Sequence, residues 1–215
     1  MGCRSSKPFE DTTDEIRIAV VGRTGSGISQ FIHDATGSYK HGVSNQTALR
    51  PFTTEITPIL ADIKGFSPSV KVVLIDTPGF DFTRGNSEHD KFSQLAKWVK
   101  HRYGSKARLD GVIYIHNIWT EELLNRPPLL TSDALEYICG PNWREKVVFV
   151  SSHWNERVRD DGNEREVLLK ENYWSFMLAK GSQMTRYEEP ERPEKAVEIL
   201  RLLVGGLSNQ KKELR

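Results

Sequence analysis

Hydrophobic positions along the chain fall into short runs of two different periods, divided by polar or glycine-rich connectors. Residues 16–21 (IRIAVV) form a continuous apolar run that ends in GRTGSG, and residues 29–35 then carry a short helical pattern. Residues 54–62 (TEITPILAD) and 70–75 (VKVVLI) flank a turn-like stretch at 64–69 and predict a hairpin. Between 90 and 102, Phe92, Leu95, Ala96, Trp98 and Val99 share one helical face. The β-branched runs 112–115 and 147–150 (VVFV) have few polar residues, as expected of strands buried on both faces. A helix over 131–139 separates them, stopped by Gly140 and Pro141. Val167, Leu168, Tyr173, Trp174, Phe176 and Met177 predict an apolar stripe on a helix over about 163–179, and Pro193 opens a last helix. Strands alternating with helices after one early hairpin predict an α/β, doubly wound, mostly parallel six-stranded sheet. One edge strand is antiparallel, and helices cover both faces.

Composition narrows the classes without naming one. The 215 residues suit one domain, here 16–206, between a flexible tail at 1–15 and a C-terminal tail at 207–215. Thirty basic and 29 acidic side chains leave a net charge of +1, which removes the footprint of a nucleic-acid binder. The best apolar run, 111–120, is half of the roughly 18–20 residues that a membrane-spanning helix needs. Two cysteines, Cys3 and Cys139, make a disulfide framework implausible and favour a reducing compartment. The six histidines lack the spacing of a zinc site.

The loop Gly22-Arg23-Thr24-Gly25-Ser26-Gly27-Ile28-Ser29 sits between strand and helix where a G-x-x-x-x-G-K-[ST] loop wraps phosphates with backbone N–H groups. Every element is present except the lysine, whose place Ile28 takes. Arg23 and Lys91 are the candidate substitutes for its charge. Ser29 is in register to put its hydroxyl on magnesium. After the strand at 72–75, Asp76-Thr77-Pro78-Gly79 matches a D-x-x-G element, whose carboxylate holds the magnesium shell and whose glycine N–H meets a γ-phosphate. Thr53 and Thr54, opening the second strand, stand where a switch threonine reaches the metal.

These residues resemble the GTPases of the translation-factor class. They are more closely similar to the fungal G-domain proteins akin to septins, immune-associated GTPases and chloroplast-translocon GTPases. The resemblance covers most of 16–204. It runs through GRTGSG with QFI following, DTPGF at 76–80, GVIYIH at 111–116, VVFVSSHWNE at 147–156, Arg165-Glu166 with Trp174, and Gly181-Ser182 with Arg186. It implies a guanine nucleotide with Mg2+, metal contacts from Ser29, Thr54 and Asp76, and base contacts from Ser152, His153 and Asn155. It also implies pairing of two copies across the nucleotide face. In the related proteins the base element ends in a carboxylate, whereas this chain has the amide of Asn155, with Glu156 one residue on. Phe80 stands where Ras-like enzymes carry a water-positioning glutamine. Trp154 is kept as a base-stacking candidate, against packing for the other tryptophans.

Met1-Gly2-Cys3-Arg4-Ser5-Ser6 fits the N-myristoylation rule at Gly2, and Cys3 is placed for palmitate, with Arg4 and Lys7 for anionic lipid. The expectation is a cytoplasmic, peripheral-membrane G-domain switch with weak or absent hydrolysis. The alternative is a pseudo-GTPase adaptor that binds nucleotide weakly or not at all. An ATPase or nucleotide kinase is disfavoured for want of a second arginine cluster.

Overall fold

A computed structural model describes residues 15–37, 55–61, 71–79, 88–119, 131–155, 159–189 and 191–213. Strands β1 (Glu15–Gly22), β2 (Thr57–Ala61), β3 (Lys71–Asp76), β4 (Gly111–Asn117), β5 (Val147–Trp154) and β6 (Gln183–Glu188) form one sheet in the order β2-β3-β1-β4-β5-β6. β1 pairs in parallel with β3 and β4, and β5 in parallel with β4 and β6. β2 is the antiparallel edge strand, with Thr57 opposite Asp76 and Ala61 opposite Val72. The sheet class, strand count and antiparallel edge are those the sequence predicts.

Period-two alternation in the central strands sends side chains to two apolar layers. Ile18 and Val20 of β1 join α1 (Ile28–Thr36) and α6 (Arg192–Glu213) on one face. Ala19 and Val21 join α2 (Glu88–Tyr103) and α3 (Ser132–Cys139) on the other. Both faces of the sheet are therefore covered, which is why β4 and β5 read as unbroken hydrophobic runs. Thr131 caps α3 by accepting from the Ala134 N–H at 3.3 Å.

Four features depart from the sequence reading. β6 (QMTRYE) is a strand that no apolar run announces, because only Tyr187 of its side chains is fully buried. The helix expected over 163–179 is split into α4 (Arg159–Leu168), a π-helical turn (Leu169–Tyr173) and α5 (Ser175–Ala179). The expected stripe is split with it: Leu169, Trp174 and Met177 are buried, while Val167, Leu168 and Phe176 are exposed. α6 continues through 207–213, residues assigned above to a tail. β2 spans Thr57–Ala61, shorter than the run at 54–62; Thr53, Thr54, Phe80, the 64–69 turn, Gly2 and Cys3 lie outside the described residues.

Candidate functional site

All parallel strands end on one pole, and the loop after β1 lies there. Gly25 and Gly27 adopt φ of 82° and 98°, a left-handed backbone that side chains disfavour. This curls the loop so that the Ser26 N–H donates to the Arg23 carbonyl at 3.0 Å. α1 then starts at Ile28, and its first bond runs from the Phe31 N–H to the Gly27 carbonyl at 2.9 Å. The opening turn thus carries amides without intrahelical acceptors at the positive end of the helix dipole. Gly22 is required by close approach, since a Cβ there would lie 2.3 Å from the Ile115 carbonyl oxygen.

Asp76 ends β3 beside Val20 of β1, with 1% of its surface exposed. The Thr77 hydroxyl donates to the Val20 carbonyl at 2.8 Å and anchors the turn. Gly79 then lies against the loop itself, because a Cβ on it would sit 2.6 Å from Thr24 Cα and 2.7 Å from Thr24 N. The fold therefore joins GRTGSG to DTPG across more than fifty residues of sequence. Ile28 is buried in the layer with Phe31 and Ile18 and brings no charge to the loop. Lys91 lines a cavity of about 380 Å³ with Glu55, Thr77, Pro78 and Trp98, on the α2 side of the turn.

The candidate base side is built from the ends of β4, β5 and β6. The Ser152 hydroxyl donates to the Ser26 carbonyl at 2.8 Å and has the His116 carbonyl at 3.2 Å, so it ties β5 to the loop after β1. The β5–β6 register shifts between Ser151 and Trp154, and His153 takes φ of 65° there. Its carbonyl accepts from Trp119 Nε1 at 2.7 Å, and its Nδ1 lies 3.0 Å from Ser152 Oγ. A Cβ on Gly27 would be 3.6 Å from His153 Cε1, which places the imidazole beside the loop. Packing of its ring, then the nearby Arg192, lower the His153 pKa, against Glu189. Asn155 is exposed at the end of β5.

Behind this rim lies an ion-pair network. Arg186 of β6 donates to both oxygens of Glu166, with Nη2 at 2.7 Å from Oε2, and its guanidinium carbon lies 3.9 Å from the Trp154 ring centre. Gly162 lets α4 sit on that same ring, where a Cβ would be 2.7 Å from Cζ3. Trp154 is thus sandwiched and 4% exposed, which removes it as a base-stacking residue. Burial raises the Glu166 pKa, but the Arg186 bonds and charge, with Lys170, hold it below the usual range on balance. Trp119 lies under Arg165, whose Nη1 donates to the Ile118 carbonyl at 3.2 Å. His116 completes the floor, edge-on to Trp174 at 5.9 Å. Sequence reading gave neither Trp119 nor His116 a role at this site, because nothing in their local pattern marks either.

A family model described as 50S ribosome-binding GTPase matches residues 17–139, more than half of the chain. Among curated proteins, translocase of chloroplast 90 of Arabidopsis thaliana is 35% identical over 103 residues, which are 48% of this chain and 12% of that protein. The chain thus spans a small fraction of that relative's length. Among solved structures, a dimerization-deficient Toc33 from Arabidopsis thaliana superposes with a TM-score of 0.58 at 14% identity, covering 92% of this chain and 86% of that one. Toc33 in complex with Mg2+ and GMPPNP gives 0.56 at 13% identity, covering 89% and 85%. At such identities these two likenesses bear on the fold alone.

Proposed function

The chain belongs to the 50S ribosome-binding GTPase family of G domains, and we propose that within it this protein is a guanine-nucleotide switch that binds GTP or GDP with magnesium and turns it over slowly. The G-domain resemblance drawn from the motifs agrees with that family. The observation that carries the reading is the contact of Gly79 with the Thr24 backbone, which closes the D-x-x-G turn over the phosphate loop. Ser29, in the first turn of α1, and Asp76, at the end of β3, are hard oxygen donors of the kind magnesium takes. The ion would neutralise phosphate charge, while the loop amides and the α1 dipole orient the phosphates.

Slow turnover follows from Ile28. Loss of one preorganised charge on a developing phosphate costs about two to three orders of magnitude in rate, and the Ile28 side chain is committed to the apolar layer. Ile28→Lys should therefore tighten Mg2+·GDP binding in calorimetry by about ten-fold, the scale of one charge-assisted hydrogen bond. Unchanged affinity and unchanged turnover would overturn the assignment of position 28 to the lysine site. The adaptor reading is favoured by one observation, the exposure of Asn155 where a carboxylate would meet the base. It would take over if the wild-type chain bound no nucleotide.

Attachment to a membrane through Gly2 and Cys3 is part of the same proposal. One myristoyl chain gives only reversible binding, with an association constant of about 10⁴ M⁻¹, so palmitate on Cys3 supplies the second signal. In a eukaryotic cell the wild type should sediment with membranes and Gly2→Ala should do so much less. Equal sedimentation of the two would show that acylation is not what holds the protein there.

A further inference from the structure

We infer that the pole opposite the nucleotide loop is a docking surface for anionic phospholipid headgroups. A cavity of about 620 Å³ opens there between the start of β1, the α2–β4 connection and the α3–β5 connection. Arg17, Lys106, Arg108 and Lys146 line it together with the carboxylate of Asp110, and Glu15 stands beside Arg17. For a chain whose net charge is +1, that is a local concentration of positive charge.

Lys106 and Arg108 are the exposed cations of the four, Lys146 is half-buried, and Arg17 is 7% exposed. Asp110 accepts from the Arg17 backbone N–H at 2.9 Å, so its carboxylate pins β1 to the entry of β4. The Arg17 guanidinium lies 4.3 Å from the Tyr103 ring centre, with Glu15 at 3.9 Å from its Nε. Lys146 reaches the Cys139 carbonyl at 3.2 Å, the negative end of α3. Arg108 runs along Gly140, and both it and Lys106 are exposed. Their charges meet at the cavity floor: burial pushes the Cys139 thiol up to about 12, Lys146 and Arg108 pull against it, and Asp110 adds to it. The cavity thus offers phosphate oxygens several donors and one aromatic wall.

The choice of a bilayer over a soluble anion comes from the course of the chain. β1 begins at Glu15 on this pole, and the fourteen residues that precede it in the sequence include Arg4 and Lys7. The nucleotide loop, at the other ends of the strands, would face away from the bilayer. The inference stands on the charge and placement of this pole, whether or not the nucleotide reading holds.

The test uses the full chain made in bacteria, where no acyl group is added, and phosphatidylcholine vesicles with or without phosphatidylserine. Partition is expected only with phosphatidylserine, and it should weaken as salt rises. Each basic residue near an anionic leaflet strengthens binding by about five-fold, so Lys106→Glu with Arg108→Glu should lower partition by more than about ten-fold. Lys195→Glu, on α6 at the nucleotide pole, should leave it unchanged. Thermal melting checks that the double variant folds; if it does not, Lys106→Gln, at an exposed position, should still lower partition several-fold. Three results would overturn the inference: no vesicle binding by the wild type, equal binding by wild type and variants, or binding to phosphatidylcholine alone. Saturable binding of inorganic phosphate in calorimetry without vesicle partition would reassign the cavity to a soluble anion.

Discussion

The proposed phosphate side and base side of the nucleotide pole are built from different materials. On the phosphate side the work is done by backbone: Gly22, Gly25, Gly27 and Gly79 are there because a Cβ would collide or because φ is positive. On the base side it is done by side chains from far apart in sequence, with Arg186, Glu166, Trp154, Trp119 and Ser152 buttressing a rim at His153. A backbone device is written locally and shows as a motif. A side-chain network is written across the whole chain and shows only once the sheet is assembled.

The largest effect should come from breaking the backbone device. Gly22→Ala puts a Cβ 2.3 Å from the Ile115 carbonyl oxygen, with strands on both sides that have nowhere to move. Urea unfolding should show a loss of ~3 kcal/mol or more, the scale of severe overpacking. Gly25→Ala is the matched control, because nothing lies within 4 Å of its Cβ and only the φ of 82° opposes it. It should cost about 1–2 kcal/mol. Equal losses would mean that strain, and not close approach, governs the phosphate side.

On the base side, Arg186→Ala leaves Glu166 buried among Ser151 and Lys170 without its bidentate partner. Arg186 is itself 27% exposed along its side chain, which softens the penalty. A loss of about 2–4 kcal/mol is expected, somewhat below the range for a fully buried pair. Arg186→Lys should recover only part of it, since an ammonium cannot make the fork or stack on Trp154 as a guanidinium does. A loss near zero would mean that Trp154 is held by packing alone.

The same contrast explains what the sequence could disclose. β1, the loop and α1 were legible because apolar run, glycines and helix start follow one another within a few residues. β6 was not, since an edge strand that buries only Tyr187 has no alternation to read. The 163–179 stripe failed for a geometric reason: the π-helical turn at Leu169–Tyr173 shifts the helical phase, so Leu169 turns inward and Leu168 outward. Ile28 was legible as a missing charge but not as a core residue, because the burial of a first-turn side chain depends on α6 and the sheet beneath it. The motif places Ser152 at the base end, but does not reveal the tie by which its hydroxyl donates to the Ser26 carbonyl, which only the assembled sheet discloses.

The smallest effect lies where the two sides touch, and it is silent at neutral pH. His116, near the end of β4, is 4% exposed and edge-on to Trp174, and its Nε2 has no hydrogen-bond partner among the described residues. Burial, and then the charge of Arg23 from the phosphate loop, push its pKa from 6.5 down to about 3. The folded ring therefore stays neutral across a range in which the unfolded ring takes a proton. Above pH 6.5 neither state gains a proton and the group contributes nothing to the pH dependence. Below it the unfolded state binds more protons, so stability falls as pH drops toward 3, by up to ~1.4 kcal/mol per unit. His153, whose pKa is also lowered, acts in the same direction, whereas Glu166 loses its contribution only below the ordinary carboxylate value of 4.5. Urea unfolding of wild type and His116→Leu at about pH 7.5, 6.5 and 5 isolates the group. The two should show parallel stabilities above pH 6.5. The variant should then lose about 2 kcal/mol less than the wild type on going to about pH 5. Identical slopes would mean that His116 can be protonated in the folded protein, and that the seam between Arg23 and β4 is more open than its packing indicates.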